Sequence, residues 1–208
     1  MNTIVLATSN AGKIRELGAM LAEQVPDIRV LGLSDFPMIK DIPETGVTFE
    51  ENARIKAVAV AQATGLVAVA DDSGLAVDAL GGAPGVYSAR YSGEGATDEK
   101  NVVKLLDALA DVPDAERGCH FACVMLAVTP GGEELIGRGA WQGRVTRAPS
   151  GSGGFGYDPV FFDETLGVTA AQMEAQVKNA RSHRGLALRD LLRGWPEFWK
   201  KAQLELEK

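Results

Sequence analysis

Four short stretches of this chain combine residue types that chemistry needs. The first is Thr8-Ser9-Asn10-Ala11-Gly12-Lys13, between the apolar run Ile4-Val5-Leu6-Ala7 and a segment with helical spacing. Exposed N–H groups at a helix start, the positive end of its dipole, two small hydroxyls and a lysine together make a seat for an anion. A P-loop would need glycine at position 7 and serine or threonine at position 14, where this chain has Ala7 and Ile14. A divalent cation attending a phosphate here must therefore be held by residues elsewhere. The same six residues also read as a helix cap followed by a surface lysine.

Carboxylates able to hold such a cation come next. Asp71 and Asp72 follow the buried-looking run Leu66-Val67-Ala68-Val69-Ala70, and in open α/β sheets ligands bind at the carboxyl ends of strands. Successive strand residues point to opposite faces, so at most one of the pair should face a given site. Two acids after an apolar run are costly to bury without a partner or a metal. The competing reading is a solvated turn, Asp71-Asp72-Ser73-Gly74. Glu44, in Pro43-Glu44-Thr45-Gly46, offers a second metal oxygen, although alone it is a loop acid. Asn52 and Lys56 stand four apart on an Ala-rich helix, a spacing that by itself describes a wetted helix face.

The third stretch, Gly151-Ser152-Gly153-Gly154-Phe155-Gly156, satisfies G-x-G-x-x-G. A dinucleotide fingerprint must follow a parallel strand and open a helix; here Asp158-Pro159-Val160-Phe161-Phe162 follows and argues for a strand. The loop is better read as a surface where a flat base stacks on Phe155, or as a flexible hairpin loop. The fourth is Lys178 followed by Ser182-His183-Arg184-Gly185. With Ser182 as N-cap, His183 and Arg184 occupy the first turn of the last helix. Cations there oppose the helix dipole unless an anion lies close. His120 sits in a strand run and reads as structural.

These groups are positioned by strands alternating with helices in the first part of the chain and by hairpins later. Residues 3–8, 28–33 and 66–70 read as strands, and Ile14, Leu17, Met20 and Leu21 as one helical face. Thr48 and Glu51 form a T-x-x-E capping box opening a helix to about Ala63. Thr97 caps a helix with Val102, Leu105, Leu106 and Leu109 on its apolar face. Hairpin strands span 118–145 around Pro130-Gly131-Gly132, a further strand covers 158–162, and helices lie near 169–178 and 182–193. The pattern predicts an α/β fold with a mixed sheet.

Composition narrows the function. Of the 208 residues, 46% are hydrophobic and 24% charged, ordinary for a soluble globular enzyme. The longest apolar runs fall far short of the ~20 residues of a membrane helix, and the first residues lack the basic n-region of a signal peptide. A cytoplasmic protein is expected. With 28 acidic against 21 basic side chains the formal charge is −7, poorly suited to duplex nucleic acid. Cys119 and Cys123, four apart in a strand, would lie roughly 13 Å from each other, too far to bridge. Without further ligands at matching spacing they read as buried reduced thiols.

Taken together, these segments resemble the inosine/xanthosine triphosphate pyrophosphatase family, the RdgB-like house-cleaning nucleotidases. The likeness runs nearly end to end. It includes the 8–13 stretch, Glu44-Thr45-Gly46, Phe49-Glu50-Glu51-Asn52-Ala53, Ala70-Asp71-Asp72-Ser73-Gly74-Leu75, residues 81–91, Gly153-Gly154-Phe155-Gly156-Tyr157-Asp158-Pro159 and Ser182-His183-Arg184-Gly185. The tail Gly194-Trp195-Pro196-Glu197-Phe198-Trp199 is its least family-like part.

The resemblance implies one ITPase-like domain over 1–208, with two lobes around a long twisted mixed sheet, the nucleotide in the cleft between them, and a homodimer. It further implies that Thr8, Ser9, Asn10, Ala11, Gly12 and Lys13 bind phosphates, and that Asp72 is general base and, with Glu44, a Mg²⁺ ligand. Lys56, Ser73 and Lys178 would touch the substrate, and Phe155, Gly156, Tyr157, Asp158, His183 and Arg184 would hold the base. The implied reaction is hydrolysis of (d)ITP and XTP to the monophosphate and pyrophosphate. Competing readings are a pyrophosphatase for other modified nucleotides and a nucleotide sensor that binds without hydrolysis.

Overall fold

The structure is a computed structural model that describes residues 2–25, 27–40 and 42–206. Its strands are β1 (Asn2–Leu6), β2 (Ile28–Gly32), β3 (Val67–Val77), β4 (Gly118–Val128), β5 (Glu134–Val145), β6 (Phe161–Asp163) and β7 (Val168–Thr169). The helices are α1 (Ala11–Gln24), α2 (Phe49–Thr64), α3 (Asp98–Ala108), α4 (Ala175–Arg181) and α5 (His183–Leu206). The strands form a seven-stranded sheet in the order β2-β1-β3-β4-β5-β6-β7. β1 is parallel to β2 and β3, whereas β6 is antiparallel to β5 and β7. The fold is α/β with a mixed sheet, as the element order predicted.

The chain divides into two compact units. The first takes the residues up to Asp72, Cys123–Gly139 and those from Arg184 onward; the second takes Ser73–Ala122 and Ala140–His183.

In the first unit the strand alternation builds two cores. Ile4, Leu6, Val67, Val69, Met125 and Ala127 pack with Leu17, Met20 and Leu21 of α1 and with Leu188, Leu191, Trp195 and Phe198 of α5. The intervening Val5, Ala7, Ala68, Ala70, Leu126 and Val128 pack with Ala53, Ala57, Val60 and Ala61 of α2. Three alanines on α2 let that helix lie close to the strands. Thr48 accepts from the Glu51 N–H while the Glu51 side chain returns to the N–H of Thr48, which completes the predicted capping box.

The second unit is centred on Leu75, Val77, Phe121, Trp141 and Phe161, closed by Leu105 and Leu109 of α3 and its C-cap. Arg117 is buried there and donates to the carbonyls of Leu109, Val145 and Thr146, tying the end of α3 to the end of β5. Cys119 and Cys123 are both free and buried. Burial pushes the Cys119 thiol up to about 12, so it stays protonated.

Four boundaries differ from expectation. β3 does not stop at Ala70 but runs through Asp71-Asp72-Ser73-Gly74, because Leu75 and Val77 resume the buried alternation. The strand expected over 158–162 begins at Phe161, since the N–H groups of Val160 and Phe161 both turn back to the Tyr157 carbonyl. The helix expected from Thr169 is a short strand, a 3-10 turn (Ala170–Gln172) and only then α4. Thr169 is held extended by donating its hydroxyl to the Ser150 carbonyl.

The last helix continues past Arg193, through Pro196. An interior proline costs about 3 kcal/mol, but each large apolar side chain buried returns roughly 1.5–3 kcal/mol, and Trp195 and Phe198 are both in the core. The Gly131 N–H and Glu205, with Lys201 and Glu133, fasten the helix to the β4–β5 turn. Among the described residues no helix is long and apolar enough to cross a membrane.

Phe198→Ala should therefore lower unfolding stability by about 3–5 kcal/mol in denaturant titrations. The same titration should move little for Val103→Ala, whose side chain is exposed.

Candidate active site

The 8–13 stretch forms the turn from β1 into α1. Asn10 is the N-cap, its side chain accepting from the Lys13 N–H, and Ala11 opens the helix. The Asn10 N–H in turn donates to the Thr8 hydroxyl oxygen. Ser9 and Asn10 are exposed, while Thr8, Gly12 and Lys13 are half-buried. The backbone thus has the predicted anion-seat form, but the Lys13 ammonium turns to Asp71, 2.9 Å away.

Asp71 and Asp72 are both buried, at 2% and 7% exposure, so the solvated-turn reading is wrong. As strand neighbours they belong to opposite faces of β3, and their partners come from different helices. Asp71 Oδ2 is met by Lys13 of α1 and, at 3.3 Å, by Arg184 Nε of α5. Asp72 is met by α2: Asn52 Nδ2 donates to its Oδ2 at 3.0 Å, and Lys56 Nζ lies 3.8 Å from its Oδ1.

The two carboxylates consequently titrate apart. Burial pushes Asp71 up, but Lys13, Arg184 and Lys56 overcome it and hold the carboxyl well below the usual range. Burial also dominates Asp72, where Lys56 opposes it incompletely and Glu44 adds to it, so this carboxyl lies above its ordinary value. Lys56 shows the same contest with the opposite outcome. Burial lowers its pKa, yet Asp71, Asp72 and Glu44 together leave it raised. Its ammonium bonds Glu44 Oε1 and the Asp71 carbonyl, each at 2.7 Å.

Asn52 and Lys56 are therefore not a wetted face; both are buried. Asn52 also accepts from the Gly46 N–H at 2.8 Å, which fixes the loop that carries Glu44. A Cβ at position 46 would lie 2.6–2.9 Å from Glu51 and Asn52 atoms, so only glycine allows this approach.

The second unit carries a separate group. Lys178 Nζ bonds Asp158 Oδ2 at 2.7 Å and lies 5.0 Å from the centre of the Phe155 ring. The Phe155 N–H donates to the same Asp158 oxygen. Gly154 needs its positive φ of 74°, and a Cβ there would sit 1.9 Å from that oxygen. The Gly156 N–H donates to Asp98, and the buried Tyr157 hydroxyl donates to the Ser88 carbonyl. The glycine loop is thus pinned, and no helix follows it, in keeping with its rejection as a dinucleotide fingerprint. His183 stacks flat on Phe121, with centroids 4.6 Å apart and planes at 12°. Ser73 lies half-buried on β3.

The sequence pattern that defines the Ham1 family runs through residues 4–194 and takes in all of these side chains. This chain belongs to the Ham1 family. It is 56% identical over 204 residues to the dITP/XTP pyrophosphatase of Nitratidesulfovibrio vulgaris, covering 95% of this chain and 98% of that one. Against the Shigella flexneri protein of the same name the identity is 53%, over 92% and 97% of the two chains. The HAM1 protein structure from Coxiella burnetii superposes with a TM-score of 0.85 at 44% identity, over 95% and 100% of the chains.

In this Ham1 chain, Glu44 and Asp72 carry oxygens of the hard kind that suits a divalent cation. Oxygens of both face the Lys56 ammonium, at 2.7 and 3.8 Å, so two carboxylates already converge on one cationic point. Magnesium-like ions are commonly held by one or two carboxylates plus substrate phosphates. No group of three or more acidic, histidine or cysteine side chains forms a cage among the described residues, so substrate oxygens would complete the shell.

Two participants were under-read in the sequence. Asp71, read from the sequence as one of a pair of candidate site carboxylates with no assigned partner, is the counter-charge for Lys13 and Arg184; this anion answers the dipole conflict at the start of α5. Asn52 was visible only as a polar residue on an alanine-rich helix.

Replacing Asp71 with Asn should leave two cations short of a counter-charge and cost about 3–5 kcal/mol of stability at neutral pH. Because the folded pKa of Asp71 is depressed, its contribution is fully present above about pH 4, the unfolded value. The stability gap between the wild type and the variant should shrink as pH falls below that, in denaturant titrations across pH.

Proposed function

We propose that this chain hydrolyses (d)ITP and XTP to the nucleoside monophosphate and pyrophosphate, clearing deaminated purine nucleotides from the cytoplasmic pool, as a homodimer with Mg²⁺. The observation that carries this reading is the unequal pair on β3: Asp71 paired with Lys13 and Arg184 and held ionised by them and Lys56, and Asp72 beside it, between Asn52, Lys56 and Glu44, with raised proton affinity. Neighbouring acids driven apart in this way are the mark of an assigned acid–base role. The names of the relatives at 56% and 53% identity support the substrate class.

In this reading the helix-start N–H groups of residues 8–13, with Lys13, receive the phosphates, and Lys56 and Lys178 add positive charge. Water attacks the α-phosphorus, its proton passes to Asp72, and the bond to the bridging oxygen breaks to release pyrophosphate. Asn52 Nδ2 donates to Asp72 Oδ2, which orients the carboxylate that takes that proton. Mg²⁺, held by Glu44 and Asp72, would neutralise charge on the phosphate oxygens.

On the base side, Phe155 offers a stacking face, with Gly156, Tyr157, Asp158 and Ser73 framing the substrate. Arg184, whose Nε is anchored on Asp71, and His183, held flat on Phe121, present donors to a 6-oxo group. An adenine amino group would leave such donors unpaired, a mismatch that can discriminate by 10⁴ or more.

Incubation with Mg²⁺ and ITP should release pyrophosphate, and ATP should be spared; no release would overturn the reading, and orthophosphate would mean cleavage at the γ position. Asp72→Asn should bind ITP yet turn over at least about a hundredfold more slowly, as loss of a general base requires. Alanine at His183 or Arg184 should change the ITP/GTP ratio of kcat/KM, measured in parallel.

A further inference from the structure

Asp163 lies outside the residues assigned to phosphates or base, yet it is among the most heavily bonded carboxylates in the chain. It is 1% exposed. Its Oδ1 accepts from the N–H groups of Thr165 and Leu166 and from Arg181 Nη2, at 2.8, 3.0 and 3.2 Å. Its Oδ2 accepts from Trp141 Nε1 at 2.9 Å and from Arg181 Nε at 2.8 Å. Five donors fill a carboxylate that has about four lone-pair sites. Burial alone would raise its pKa, but Arg181 and Trp141 hold it lowered and therefore charged. Such a group does not swing; it is a post.

Two lines of contact lead from this post. The first goes through Arg181 into α4. That helix has seven residues and no side-chain cap at its N-terminus, too short to persist without tertiary ties. Its ties include Arg181 to Asp163 and Lys178 to Asp158. Lys178 and Arg181 are three apart, neighbours on one helix face, so fixing the guanidinium fixes where the Lys178 ammonium emerges beside Phe155.

The second line goes through Trp141. Its ring lies 4.6 Å from Phe161, Phe161 lies 4.6 Å from Phe121, and Phe121 carries His183 in a near-parallel stack. The bond from Trp141 Nε1 sets the rotation of the indole, and the packed rings pass that setting along, because close-packed side chains have few alternative arrangements.

We propose that Asp163 is a positioning residue for binding of the nucleotide: through Arg181 it places the Lys178 ammonium, and through Trp141 it places the aromatic stack under His183. This rests on the reading above that Lys178 and His183 meet the nucleotide. Asp163 touches no substrate and holds no cation in the reaction. Its effect falls on binding and discrimination, and the Asp72 chemistry of the first unit is left alone.

The test is steady-state kinetics of Arg181→Met on ITP and GTP, with thermal unfolding as a check on folding. Arg181 is half-exposed, at 35% of its side chain, so the variant should fold. Loss of positioning should raise KM for ITP roughly tenfold while kcat stays within about threefold, the signature of lost ground-state binding, and the ITP/GTP preference should fall. Trp141→Phe should shift KM in the same direction, and Arg181→Lys, whose ammonium can still reach Asp163, should recover part of the loss.

A merely structural role predicts a lower unfolding midpoint with unchanged KM in the folded fraction, and that result overturns the proposal. So does a folded Arg181→Met with wild-type KM and ITP/GTP preference while the wild type turns over ITP. A wild-type protein silent toward ITP overturns the functional reading, and this inference with it. Should Arg181→Met not fold, Trp141→Phe reads the KM shift in the same direction.

Discussion

Two negative charges side by side in a buried strand are the constraint on which the first unit depends. Neither can be left without a partner, because an ion taken out of water loses several kcal/mol even after relaxation. The pleat of β3 sends Asp71 and Asp72 to opposite faces, so each carboxylate draws its nearest cation from a different helix, Lys13 of α1 for Asp71 and Lys56 of α2 for Asp72. A cation at about 4 Å in a protein-like medium returns roughly 4 kcal/mol. Asp71, with Lys13 and Arg184 on one oxygen, is over-compensated and stays ionised. Asp72 has an amide and a lysine that Glu44 also claims, and remains under-compensated. The chemical difference between two identical side chains comes from the balance around each: cations outweigh burial at Asp71, whereas burial and Glu44 outweigh Lys56 at Asp72.

The second unit uses buried charge differently. Asp158 and Asp163 accept from donors of their own loops and of α4, and each converts a glycine-rich or very short segment into a fixed one. Arg117 does the same with three carbonyls. Charge in the first unit is poised to change its protonation or its partner, whereas charge in the second holds backbone still. Such a division suits a protein that must do acid–base work with one set of residues and measure shape with another.

Much of this was readable from residue order. The capping box at Thr48 and Glu51, the apolar runs of β1 and β3, the cap at Thr97 and the hairpin at Pro130-Gly131-Gly132 are local devices whose signals lie within a few residues of their effects. Errors arose where a distant partner outweighed the local signal. Asp-Asp-Ser-Gly resembles a turn until Lys13, Lys56 and Arg184 make burial of the acids affordable. Pro196 looks like a helix end until Trp195 and Phe198 are seen in the core. Thr169 looks like a helix start until the Ser150 carbonyl claims its hydroxyl.

By itself the sequence determined which side chains are available, which local elements carry them, and that neighbouring acids on a strand must face different ways. Only the tertiary structure decided which cation answers which acid. Arg184 meets Asp71 across 113 positions, and Asn52 meets Asp72 across 20. Pairings of that kind leave no trace in composition or periodicity, since the energy of an ion pair depends on distance in space, and chain order does not specify that distance until the cores on both faces of the strands have packed.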